Sequence, residues 1–187
     1  MSITIVGLSG KAGAGKDTIA RAVFRPLGYA PWAFAFPLKV AGTGHGFSYQ
    51  EVFQTKPPMA RQWLQEYGAR KRDMDPDFWV KQADAWIRTL HEAIGITKFV
   101  ITDVRYRNEV DYIHSMGGKV IRIHHGHGLP YPLEGTLAAG HSSETDLDHG
   151  VEWDAVFYNH LSGNPGIHAR MELEKQGIVP PWSALRG

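Results

Sequence analysis

Short apolar runs alternate along the chain with longer stretches in which apolar residues recur every three or four positions. Residues 3–8 (Ile-Thr-Ile-Val-Gly-Leu) are apolar and β-branched, as in a strand buried on both faces of a parallel sheet. A glycine-rich stretch follows, then a helical pattern over 16–27 that Gly28 ends. Residues 32–36 read as a second strand stopped by Pro37, with a helix starting near 38 and irregular chain over 43–57. The pattern predicts a helix over 59–67 ending at Gly68. Pro76 opens a longer one, in which Trp79, Ala83, Trp86, Leu90 and Ile94 recur at helical spacing. Further strands are predicted at 99–103, 119–124 and 155–158, and helices at 108–116 and 166–176. Residues 125–141 read as loop, and the tail from 180 as loosely held. Strands alternating with helices predict an α/β fold around a mostly parallel, five-stranded sheet. The helical insertion over 37–95 and the loop over 125–145 then sit at the carboxyl ends of strands, where such sheets bind ligands.

Composition narrows the picture. The 187 residues suit one domain with a real core, and 43% apolar with 21% charged content is ordinary for a soluble globular protein. A net charge of +1 gives no global attraction to a nucleic-acid polymer or a membrane. Without cysteine there are no disulfides and no thiolate metal sites. The chain opens on a strand pattern rather than a signal peptide, and no apolar run reaches the roughly 18 residues of a membrane span. The expectation is a soluble cytoplasmic protein, in the host cytoplasm if viral.

The chemistry concentrates in GKAGAGKDT, residues 10–18. Gly10, four residues, then Gly15-Lys16 is the skeleton of a phosphate-binding loop, set between a predicted strand and a helix as such a loop requires. The backbone N–H groups of Gly13, Ala14, Gly15, Lys16 and Asp17 would form a nest for phosphate oxygens, helped by the helix N-terminus. Lys16 would reach the β- and γ-phosphates and Thr18 the α-phosphate. The third glycine of a dinucleotide-binding fingerprint is absent. Asp17 stands where a Ser or Thr usually holds Mg²⁺. It either touches Mg²⁺, pairs with an incoming arginine, or serves the helix dipole.

A second constellation, DVRYRNE at 103–109, follows the third predicted strand. Asp103 would face a Mg²⁺ shell or an adjacent substrate, and the Arg105 guanidinium can grip a phosphate bidentately. Arg107 is either part of the site or solvated, and Glu109 suits capping. In the insertion, Arg61 and Gln65 are four apart on one helix face, near Arg70, Lys71 and Arg72; the last three also fit a solvated basic turn. Together with Lys16 and Arg105 this set would surround two phosphate groups. Trp63, Trp79 and Trp86 suit a core; Phe36 and Trp79 are the stacking candidates for a base.

These stretches, with FAFPLK at 34–39, RQWLQEYG at 61–68, DPDFWV at 75–80, ITDVRYRNEVDYI at 101–113, GGKVIRI at 117–123, HSSET at 141–145 and VFYN at 156–159, resemble the phage-type deoxynucleoside monophosphate kinases of the phosphate-loop kinase superfamily. The resemblance implies a three-layer fold in a single domain: a core of 1–36 and 96–187, a substrate-binding insertion over about 37–95 and a lid over about 125–145. It implies transfer of the ATP γ-phosphate, with Mg²⁺, to a deoxynucleoside 5′-monophosphate. Catalysis would fall to Lys16, Asp17 and Arg105. Arg61, Gln65 and Arg72 would lie on the monophosphate side, with Asp103 and Arg105 between the two substrates. Glu144 would orient sugar or base, Asn159 would fall at the adenine side, and Asp17 and Thr18 would be the metal-side residues. A homodimer is left open. One departure stands out: residues 123–145 carry no Arg or Lys where a lid arginine is expected, and hold His124, His125, His127 and His141 instead. Either Arg122 or Arg107 supplies the charge, or the lid works more weakly; a histidine metal site is the sharper alternative. The same loop also fits a phosphomevalonate or dephospho-coenzyme A kinase, or a regulator that holds ATP without transferring it.

Overall fold

The computed structural model describes residues 2–126, 140, 142–159 and 164–185. The chain divides into two compact units, residues 1–32 with 96–187, and residues 33–95.

The first unit is built on five parallel strands in the order β2-β3-β1-β4-β5: β1 (Thr4–Ser9), β2 (Ala30–Trp32), β3 (Lys98–Val104), β4 (Lys119–His125) and β5 (Ala155–Asn159). Period-two alternation divides β1 between the two faces. Val6 and Leu8 join a core with Ile19, Val23, Phe24, Ile121, Ile123 and Leu173. Ile121 and Ile123 come from β4, Ile19, Val23 and Phe24 from the helical run after β1, and Leu173 from α7 (Pro165–Lys175). Gly7 faces the other way, where a Cβ would come within 2.6 Å of Ile113 in α5 (Arg107–Ser115). Helices therefore cover both faces, as near-continuous apolar strands demand. Ile5, Leu8, Phe99, Ile101 and Ile121 are fully buried, each contributing about 1.5–3 kcal/mol of hydrophobic stabilisation.

The helix after the glycine-rich loop begins as α1 (Lys16–Ile19), continues as a π turn (Ala20–Phe24) and a 3-10 turn (Arg25–Leu27), and ends at Gly28 with φ 83°. The second strand differs from expectation. It is Ala30–Trp32, not 32–36, and Pro31 is accommodated because β2 lies at the sheet edge. The tail is also better anchored than predicted. Arg170 donates to the Pro180 carbonyl and lies over the Trp182 ring at 5.7 Å, holding a 3-10 turn at Trp182–Leu185.

The second unit is helical: α2 (Phe36–His45), a π turn (Glu51–Thr55), α3 (Pro58–Met74) and α4 (Phe78–Ile94). α3 runs through Gly68 instead of ending there. The Trp79 indole N–H donates to the Gly68 carbonyl at 3.1 Å, and Leu38 approaches to 3.2 Å of where a Cβ would stand. The glycine serves close packing, not termination. No helix among the described residues is long and apolar enough to cross a membrane.

Candidate functional site

The glycine-rich loop joins β1 to α1, so its backbone lies at the carboxyl end of a central strand. Gly13 and Gly15 take φ of 82° and 94°, the left-handed region in which a side chain is strained. Gly15 has a second reason to lack a side chain: its Cβ would fall 2.3 Å from the Asn159 amide nitrogen. The buried Lys16 ammonium folds back over the loop, donating to the carbonyls of Gly10 at 2.6 Å and Lys11 at 2.9 Å. The Ala14 N–H, expected to face a phosphate, donates within the loop to Lys11 O at 3.1 Å. Ala14 thus shapes the nest, and its own carbonyl accepts from Asn159 Nδ2 at 3.0 Å. Asn159 is 2% exposed at the end of β5, and its Oδ1 has no hydrogen-bond partner among the described residues. Asp17 is exposed in the first turn of α1, and Thr18 is half-buried beside it.

At the end of β3, Asp103 is half-buried. Glu109 is 3% exposed and its Oε2 accepts from the Arg105 N–H at 2.6 Å and the Tyr106 N–H at 3.1 Å, which fixes the exit from the strand into α5. The three residues 105–107 then hold the segment 142–150. Arg105 Nη1 donates to Ser143 O at 3.0 Å and Tyr106 Oη meets Ser142 Oγ at 3.2 Å. The Arg107 N–H donates to Asp146, and its guanidinium to the carbonyls of His149 and Gly150. Arg107 therefore pins a turn. Arg122, the other candidate for lid charge, is 8% exposed. It donates to Ser9 Oγ at 3.1 Å and Asp148 Oδ1 at 3.3 Å, with its guanidinium over Trp153. Asp148 also accepts Lys11 Nζ at 2.9 Å.

Sequence reasoning missed Lys11 and Asp148. Lys11 occupies a variable position of the loop pattern, and Asp148 lies 137 positions away, so only the fold joins them. Glu144 lies in α6 (Ser142–Thr145), with its side chain outside the described ones. Most of the expected lid, 127–139 and His141, lies outside the described residues, and His127 with it. His124 stacks on Tyr158 at 5.0 Å, and no group of three metal-ligating side chains occurs among the described residues.

In the helical unit, Arg61 is exposed on α3, and Gln65 and Arg72 are half-buried along the same helix. Residues 70–72 form part of that helix instead of a basic turn. Arg70 lies over Tyr67 at 5.2 Å and Lys71 over Phe78 at 5.2 Å. Phe36 is half-buried, edge-on to Phe53 and Trp86. Trp79 is 4% exposed with its N–H satisfied, so its ring is a packing element with no face presented to a base.

No protein-family model matches the chain. It is distantly homologous to a protein of Acanthamoeba polyphaga mimivirus described as "Putative deoxynucleotide monophosphate kinase". The two are 28% identical over a 142-residue alignment covering 65% of this chain and 74% of the relative. It is likewise 28% identical over 148 residues to "Uncharacterized protein ORF77" of Ictalurid herpesvirus 1 (strain Auburn), covering 78% of this chain and spanning 59% of that protein.

Proposed function

We propose that this chain is a nucleotide kinase that transfers the γ-phosphoryl group of ATP to a deoxynucleoside 5′-monophosphate. The observation that carries this reading is the glycine-rich loop: parallel strand, positive-φ turn, and a buried lysine ammonium folded over backbone carbonyls at a helix start. The distant homology to the mimivirus protein described as "Putative deoxynucleotide monophosphate kinase" supports the choice of acceptor.

The residues fit ATP and Mg²⁺. Lys16 and the loop N–H groups suit the phosphates, with Gly10, Gly13 and Gly15 leaving room for them. Asp17, Thr18 and Asp103 supply oxygen donors of the kind a hard cation takes. Bound Mg²⁺ would neutralise and orient the β- and γ-phosphate oxygens. Arg61, Gln65 and Arg72 on α3 take the acceptor monophosphate, Phe36 contacts the base, and Arg105 follows charge on the transferred group. Glu144 orients sugar or base. The nucleophile is an acceptor phosphate oxygen, largely ionised at neutral pH, so positioning and charge neutralisation suffice without a strong general base.

The test is a coupled assay of ADP formation with ATP, Mg²⁺ and each deoxynucleoside and ribonucleoside monophosphate in turn. Turnover that depends on the nucleobase is expected. Absence of ADP release with every monophosphate, from folded protein, would sink the reading. Turnover of phosphomevalonate or dephospho-coenzyme A alone would move the chain to another small-molecule kinase.

A further inference from the structure

Residues 123–145 contain no Arg or Lys, and Arg107 and Arg122 are committed to carbonyls, a hydroxyl and a carboxylate. Lys11 is placed differently. It stands inside the glycine-rich loop, and its own carbonyl accepts the Lys16 ammonium. Its side chain is 31% exposed and meets Asp148, itself 27% exposed. An ion pair this open contributes only about 0–1 kcal/mol, so a polyanion can displace the carboxylate at little cost. Ser9, Gly10, Lys11, Arg105, Arg122 and Ser143 line one cleft at the carboxyl ends of β1 and β3, beside the middle of β4. Lys11, Arg105 and Arg122 are among its lining residues, and Asp148 pairs with Lys11 and with Arg122.

We propose that Lys11 is a catalytic residue, whose ammonium exchanges Asp148 for the phosphoryl group in transfer and supplies the charge that residues 123–145 lack. This rests on the phosphoryl-transfer reading above. In the step, the bond from the γ-phosphorus to the β,γ-bridging oxygen breaks and its electron pair leaves on ADP. A new bond forms from that phosphorus to an acceptor phosphate oxygen. Negative charge spreads over the equatorial oxygens and the leaving oxygen, and a second ammonium beside Lys16 stabilises it there. Asp148 is the parking site for Lys11. It is carried by the 142–150 segment that residues 105–107 hold in place.

The experiment compares the full chain with Lys11→Met and Lys11→Arg. It measures turnover, melting temperature, and ADP·Mg²⁺ binding with and without aluminium fluoride, which mimics the transferred phosphoryl group. Lys11→Met is expected to lose about 10²-fold in kcat, with KM for ATP within about threefold of wild type and an unchanged melt. Lys11→Arg should recover much of the loss. Aluminium fluoride should tighten ADP binding to the wild type and not to Lys11→Met. Wild-type kcat in Lys11→Met, or an unchanged fluoride effect, overturns the proposal. The fluoride measurement needs no acceptor. Inertness of every monophosphate would therefore count against the acceptor assignment, while the role of Lys11 would still be decided.

Discussion

Asn159 shows how one side chain far along the chain can brace the glycine-rich loop. Its amide donates to Ala14 O, and the absence of a side chain at Gly15 lets it lie against the loop. Its buried Oδ1 has no hydrogen-bond partner among the described residues, a deficit of about 1–3 kcal/mol. Asn159→Ala removes that deficit and at the same time leaves Ala14 O without its donor, so the two effects on stability largely offset. The loop conformation has no such compensation. We expect Asn159→Ala to weaken ATP binding about tenfold while shifting the melt by only a degree or two. Calorimetric titration beside thermal denaturation checks this, and ATP affinity equal to wild type would remove the bracing role. At this scale, the turn between β1 and α1 was legible because the spacing of GKAGAGKDT calls for glycines at its positive-φ positions. The sequence pattern did not reveal that Ala14 turns its N–H inward, or that Trp79 hides its ring, because both depend on neighbours distant in the chain.

Elements were legible where periodicity was strong, and were misread where a single residue was taken as punctuation. Gly68 is the example, read as a helix end where close helix packing uses it. The expectation for β2 instead falls too late, at 32–36, whereas the edge strand runs over Ala30–Trp32 and tolerates Pro31. The edge strand β5 carries a device that no local pattern announces. Gln176, just past α7, accepts from the Val156 N–H at 3.2 Å and donates to the Val156 carbonyl at 3.1 Å. One side-chain amide thus completes the ladder on the outer edge, where an open strand invites pairing with another chain. Gln176→Glu keeps an acceptor for Val156 N–H but loses the donor for its carbonyl, and it sets a second carboxylate against Glu172. We expect it to lower stability by about 1–3 kcal/mol at pH 7, with much of the loss recovered where the new carboxyl is protonated. Denaturant titrations at pH 7 and pH 4 measure both values, and an equal deficit at the two pH values would refute the pairing.

For the whole molecule, the order β2-β3-β1-β4-β5 follows from strand and helix alternation only as a class. Which strand neighbours which is set by long-range pairing that a single sequence does not display. Charge acts at this scale too, because titrating groups in both units enter one pH profile. In the sheet unit, burial pushes the Asp154 carboxyl up. The Val120 N–H, His114 and the Lys119 charge together outweigh this and hold it below its ordinary 3.8. In the helical unit, the Lys81 ammonium holds Asp75 below its ordinary 3.8, and the Ser48 backbone N–H lowers Glu51 from 4.5. A carboxyl depressed by folding contributes stability that is fully present above its unfolded value and lost as pH falls through its folded value. All three therefore act in the same direction, and the melting temperature should fall as pH drops below about 4.5. On the alkaline side, the bond to Asp75 raises Lys81 above its ordinary 10.5, and burial raises Tyr29 above 10.0. Those contributions are complete below the unfolded values and disappear as pH climbs past them, so a second decline should begin near pH 10. Asp154→Asn keeps an oxygen for the Val120 N–H but no longer titrates. Its melting temperature should fall less steeply between pH 5 and pH 3 than that of the wild type, with the alkaline limb unchanged. Parallel acid limbs for the two proteins would show that Asp154 is not among the groups that set acid stability.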